Sequence, residues 1–239
     1  MPSRALNTLF QHLDNAARQA GRPSPRLLAV SKHQPATAVA ELATALRSLP
    51  RNQGEQLPAF GENYIQEARA KHAALAGLAL EWHLIGHLQS NKAHEAARLF
   101  DWVQTVDRAK LIGALAAHRP ADRAPLNVLV QVNIDDEASK HGCRPDDVMA
   151  LATAIVAQPR LALRGLMAIP APHPDMDRRR TAFRRMKTLF DQLRGEYPQA
   201  DTLSMGMSED CAIAVAEGAT MVRIGTALFG ARPQKDQSA

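Results

Sequence analysis

The sequence predicts an α/β fold, a single (β/α)8 TIM barrel with an extra helix in front. Three observations lead there. Eight short apolar segments alternate with amphipathic stretches from end to end, the pattern of a parallel sheet. Several of these segments run nearly unbroken, as Val128 to Val132 does, which suits strands covered on both faces. The 239 residues are close to the about 250 of a typical barrel of this kind. No GxGxxG follows the first strand, so an open dinucleotide-binding sheet fits less well.

The elements follow in order. ALNTLFQHLDNAARQAG (5–21) reads as the front helix, closed by Gly21 and then Pro23. Strands are expected at 26–32, 58–63, 81–86, 102–107, 127–134, 161–169, 201–206 and 221–230. Helices are expected near 36–48, 64–76, 91–98, 107–118, 146–157, 177–194 and 208–217. Pro145 before Asp146 and Asp147 marks one helix start. Ser208, as N-cap before Glu209 and Asp210, marks another, with the acids set against the positive end of the helix dipole. RSLPRNQGEQLP (47–58) follows a helix and precedes a strand, which puts it on the bottom face of a barrel, away from chemistry. PAPHPDMD (170–177) follows the sixth strand and borders the top face. The chain reads as one domain over 1–239, with its core at 26–230 and a frayed tail at 231–239.

Composition removes several classes of function. No apolar run resembles a signal-peptide core or a membrane span, so no membrane association is expected. The two cysteines, Cys143 and Cys211, lie far apart and outside any CxxC, which speaks against a disulfide scaffold or a zinc site; no metal is expected, and a reducing cytoplasm is. The net charge is +5, but the basic residues are scattered and aromatics are 4% of the chain, so a nucleic-acid partner is not expected. The run Arg178–Arg180 reads as a solvated helix face.

Barrel chemistry sits at the C-terminal ends of the strands. In RLLAVSKHQP, Lys32 ends an apolar strand, where apolar neighbours disfavour the charged amine and lower its pKa. A neutral amine can attack a carbonyl and form a Schiff base; a lysine that reaches out into solvent is the competing reading. SMGMSED (204–210) runs from a strand into a helix start with two hydroxyls, an anion site. RIGTALFG (223–230) offers close backbone approach at Gly225 and a hydroxyl at Thr226. These are strands seven and eight, whose following loops hold a phosphate in many barrels. Arg223 in the last strand needs an acceptor or a ligand heteroatom, because an unpaired buried arginine is costly. Amine, phosphate cradle and buried cation together suit pyridoxal 5′-phosphate (PLP). A Schiff-base lyase acting on a phosphorylated sugar would also need the lysine and the phosphate donors, without Arg223 in that role.

LLAVSK, FGENY, WHLIGHLQSNK, VNIDDEASKHG, GLMAI, SMGMSED and VRIGTALFG occur in this order. Together they resemble the YggS/PROSC family of pyridoxal phosphate homeostasis proteins, which is related to the barrel domain of alanine racemase. The resemblance runs from residue 26 to about 230. It implies a barrel of the alanine racemase N-terminal type holding PLP, with Lys32 as the Schiff-base lysine and Arg223 facing the pyridine nitrogen. It places Ser204, Ser208, Gly225 and Thr226 on the phosphate-binding segments. Asn63 and Met205 or Met207 would lie close to the cofactor, with His87 and Asn91 at the barrel mouth. Alanine racemase-like enzymes carry a second, all-β domain that supplies a catalytic tyrosine. This chain ends nine residues after its last expected strand, and neither Tyr64 nor Tyr197 matches that tyrosine. The expectation is therefore a PLP-binding monomer in vitamin B6 and amino-acid homeostasis, one that can pass cofactor to apo-enzymes and carries out no robust catalysis. PLP-dependent racemisation is the alternative. Two departures from the family stand out: His33–Gln34 after the lysine, and a 47–58 loop longer than usual.

Overall fold

The computed structural model describes residues 2–49, 57–135, 137, 140–171 and 174–230. Its strands are β1 (Arg26–Val30), β2 (Ala59–Glu62), β3 (Glu81–Leu84), β4 (Trp102–Val106), β5 (Leu126–Gln131), β6 (Leu161–Met167), β7 (Thr202–Ser204) and β8 (Met221–Ile224). All pair in parallel, in chain order, and β8 closes on β1, so the expected barrel is the observed one. The helices are α1 (Pro2–Gln19), α2 (Ala36–Arg47), α3 (Ile65–Ala74), α4 (Ala93–Leu99), α5 (Ala109–His118), α6 (Val148–Val156), α7 (Met176–Glu196), α8 (Cys211–Ala216) and α9 (Thr226–Phe229). None of the described helices is long and apolar enough to cross a membrane.

Strand residues alternate between two cores, as the period of two requires. Leu27, Ala29, Phe60, Val103, Val128 and Leu163 face outward and pack with helix residues such as Leu111 and Phe183. Leu28, Ala59 and Met221 form one interior cluster, and Trp102, Leu129 and Met167 another. The front helix α1 buries Leu6, Leu9, Phe10 and Leu13 and lies against α2, α8 and α9.

Element ends depart from the sequence expectation where local hydrogen bonds intervene. The last strand stops at Ile224 rather than 230, because the N–H groups of Leu228 and Phe229 fold back onto the Gly225 carbonyl and start α9. Ser208 is not an N-cap. The Asp210 carboxylate takes the Met207 N–H at 2.6 Å, a turn covers 208–210, and α8 begins at Cys211. Residues 50–56 of the long loop, 172–173 of the top-face loop and the whole 231–239 tail lie outside the described residues.

Candidate functional site

Leu28, Val30 and Lys32 continue one alternation, so Lys32 follows the inward face of β1 onto the barrel mouth. It is half-buried, in the turn after the strand. Both of its neighbours are clamped. The buried Ser31 donates its hydroxyl to Glu62 Oε1 at 2.6 Å and its N–H to the Gly61 carbonyl at 3.0 Å. Lys71, reaching in from α3, donates to the Ser31 carbonyl at 2.5 Å and to Glu62 and Glu67, each at 2.7 Å. Glu67 also takes the His33 N–H at 2.5 Å, where His33 adopts φ +64°. That backbone region is uncommon for a residue with a side chain. The carboxylate of Glu62 is fully buried, and its second oxygen has no hydrogen-bond partner among the described residues. Burial raises its pKa, against the opposing pull of Lys71 and Ser31.

Arg223 is 3% exposed and sits beside this turn, because β8 pairs with β1. Its guanidinium donates to the Ser204 carbonyl, the Ser204 hydroxyl and the Ala168 carbonyl, each at 2.8 Å. Burial pulls its pKa down to about 10, so it remains a cation at neutral pH. Among the described residues no carboxylate pairs with it directly. Instead a chain of hydrogen bonds crosses the barrel interior below it. The Ser204 hydroxyl donates to Gln104 Oε1 at 2.7 Å, and Gln104 Nε2 lies 2.9 Å from His83 Nδ1. His83 Nε2 lies 2.5 Å from Glu81 Oε1. Every donor then has an acceptor if His83 is neutral with its proton on Nε2, an assignment made by the network itself. Burial lowers the His83 pKa, which favours that form.

Lys32 and Arg223 share a cavity of about 410 Å³ with Met207, Ser208, Gly225 and Thr226. Val30, Pro170, Arg179, Glu209 and Asp210 complete its wall. Six of the sequence-derived residues thus meet. Ser204 and Met205 do not line this cavity: both are fully buried, and Ser204 lies under Arg223 as its acceptor. Asn63 and His87 line a second cavity of about 410 Å³, with Tyr64, Leu84, Gln89 and Lys92 among its walls. Asn91 is exposed and lines neither. The clamp residues Glu62, Glu67 and Lys71 and the interior residues Glu81, His83 and Gln104 escaped sequence reasoning. Polar residues at every second position, as in Glu81-x-His83, were the available signal.

The family model for the N-terminal domain of alanine racemase matches residues 5–233. A pyridoxal phosphate homeostasis protein of Haemophilus influenzae is 47% identical over 233 residues, which are 95% of this chain and 94% of that protein. PipY of Synechococcus elongatus, solved with PLP bound, is 35% identical with a TM-score of 0.77, over 96% of this chain and all of that one. An alanine racemase from Corynebacterium glutamicum shares the fold at 19% identity and a TM-score of 0.62, over 98% of this chain and 63% of the enzyme.

Proposed function

The chain belongs to the family of the alanine racemase N-terminal domain, and from that premise we propose that it binds pyridoxal 5′-phosphate and serves the homeostasis of that cofactor. The observation that carries this reading is the single cavity in which Lys32, Arg223, Ser208 and Thr226 meet. The residues fit the group. Lys32 offers an amine to the aldehyde, and Arg223 a donor to the ring nitrogen. Ser208 and Thr226 offer hydroxyls to the phosphate, the second at the start of α9. The cavity is within the range of small-molecule sites.

The bound cofactor supplies an aldehyde that condenses with a primary amine, and a ring that withdraws electrons from the new bond. The chain's own groups set how far that chemistry goes. The clamp on Ser31 and His33 fixes the backbone on both sides of Lys32, so the amine is presented from a rigid turn. Arg223 does not readily give up its proton, so it would donate a hydrogen bond to the ring nitrogen of a bound cofactor and favour the unprotonated ring. An unprotonated ring is a weak electron sink. That disfavours transaminase-type chemistry and remains compatible with racemisation, which needs an acid/base on each face of the substrate. Tyr64 is 56% exposed and lines the second cavity, while Tyr197 hydrogen-bonds Thr153 at 2.8 Å from the loop before β7. Neither lines the Lys32 cavity.

The chain then acts as a holder of PLP, monomeric and cytoplasmic, that hands the cofactor to apo-enzymes. The purified protein should absorb in the near-ultraviolet-to-violet region. Borohydride should fix the cofactor mass on the peptide carrying Lys32; a label elsewhere refutes the assignment. Absence of the chromophore would favour a Schiff-base lyase on a phosphorylated sugar. Racemisation of any amino acid in a panel faster than about 1 s⁻¹, a typical lower bound for enzymes, would overturn the holder reading.

A further inference from the structure

We propose that His87, Asp107 and His141 form a binding site for a divalent first-row metal ion, Zn²⁺ foremost, on the side of the barrel mouth opposite the Lys32 cavity. His87 stands in the loop after β3, Asp107 in the loop after β4 and His141 in the loop after β5. In a closed ring of eight strands β4 lies across from β8, so this cluster faces Arg223 and Thr226 over the open mouth.

The geometry already gathers three donors from three loops. One ligand atom from each of the three residues lies within 4.8 Å of the others. The imidazoles stack at 3.7 Å between ring centres and 15° between planes, so the two rings tilt toward one another when both lone pairs meet one ion. Zinc bonds of about 2.1 Å in a tetrahedron place ligand atoms about 3.4 Å apart, so the three donors close by little more than one ångström. Two imidazoles and a carboxylate suit zinc, with the open position filled by water. Imidazole also suits Co²⁺ and Ni²⁺. Both rings are exposed at the surface, so an ion has an entry path.

The backbone under each donor is fixed. A Cβ on Gly86 would fall 2.1 Å from the Asn63 carbonyl oxygen, and the Gly86 carbonyl accepts from Thr105 at 2.9 Å, so the residue before His87 is locked. Gly142, after His141, has φ +124° and would set a Cβ 2.6 Å from the Asn133 nitrogen. The carbonyl of His141 accepts from Gln131 Nε2 at 3.2 Å. Arg108 holds Asp107 through Oδ1 at 2.5 Å, which orients the carboxylate and leaves Oδ2 to the metal. The thiols do not compete: Cys143 and Cys211 are buried. Two cysteines alone pointed away from zinc in the sequence; a histidine–carboxylate site drawn from three loops leaves no linear motif.

The test is calorimetric titration of untagged, chelator-stripped protein with Zn²⁺, and with Co²⁺ followed by visible absorption. One equivalent should bind to the unaltered chain. H87A, H141A and D107N should each weaken binding at least tenfold, and H94A, at the separate His94–His118 pair, should not. All four side chains are at least partly exposed, so melting curves should stay close to the unaltered protein's. Absence of saturable one-to-one binding, or binding equally strong in H87A and H141A, would overturn the site. The titration reads the metal alone, so its failure says nothing about PLP, and a missing PLP chromophore leaves it intact.

Discussion

Two sides of one barrel mouth are built in opposite ways. On the β8–β1 side the functional groups rise from a buried polar scaffold: Arg223 is 3% exposed and rests on Ser204, Gln104, His83 and Glu81. Lys32 is held through Ser31 by the buried Glu62 and Lys71. On the β3–β5 side, His87, Asn91 and His141 stand exposed on loops, positioned by packing and hydrogen bonds of the backbone around them. The first side binds its ligand with groups that the interior of the fold fixes. The second presents groups that can change without disturbing the core. Substitutions in the buried scaffold of the first side should therefore act on stability and cofactor together, and substitutions on the second side on neither.

The largest effect is expected at Lys32 itself. Lys32→Ala should remove the violet band and the borohydride adduct completely while the fold persists, because Lys32 is half-buried at the barrel mouth and its turn is held through Ser31 and His33. A retained adduct would mean that another lysine serves, and the division between the two sides would fail at its centre.

Lys71→Met comes next. It leaves Glu62 as a buried carboxylate without its cation, which costs about 3–5 kcal/mol at neutral pH. The sign with pH is fixed by the direction of the shift. Burial raises the Glu62 pKa above 4.5 in the folded chain, so the folded state holds that proton more tightly than the unfolded one. Its contribution is fully present below the unfolded value and is lost as pH rises through the folded one. Without Lys71 the folded value climbs further, so the penalty should shrink as pH falls from 7 toward 5. Urea unfolding at both pH values reads this. A penalty independent of pH would place the loss in packing rather than in the carboxylate.

Gln104→Leu should cost about 2 kcal/mol or more, since it leaves both His83 Nδ1 and the Ser204 hydroxyl without their buried partners. It should also weaken PLP binding, although Gln104 lines neither cavity. Lost stability with unchanged affinity would show that Arg223 needs no support from below.

The sequence disclosed the barrel because its signal is distributed: eight apolar runs survive an error in any one. The ends of elements depend on single contacts, such as the Asp210 carboxylate on the Met207 N–H, and those were missed. Lys32 and Arg223 were legible because a charge in an apolar strand is costly and demands a reason. Lys71 was not, since a lysine nine residues after Glu62 in a helix with little apolar periodicity reads as solvated until the fold turns it inward. Ser204 was assigned to the phosphate segment, whereas the alternation of β7 points it into the interior, under Arg223. Asn63, at the end of β2, faces the second cavity, and which cavity a strand end serves depends on the order of strands around the ring.

The smallest effect is expected at Tyr64, and it separates the two sides most cleanly. Tyr64 is 56% exposed, its ring lies 5.9 Å from that of His33, and the turn carrying Lys32 is close by. If the mouth worked as one site, its hydroxyl would be the natural acid/base on the face opposite Lys32. If the sides are independent, it is a surface phenol. Tyr64→Phe should then shift stability by less than about 0.5 kcal/mol, as is usual for surface positions. It should leave the violet band and the PLP dissociation constant unchanged within twofold. Stopped-flow capture of released PLP by an apo-enzyme should keep its rate. A slower release, or loss of any residual racemisation on removing this one hydroxyl, would join the two cavities into a single working site.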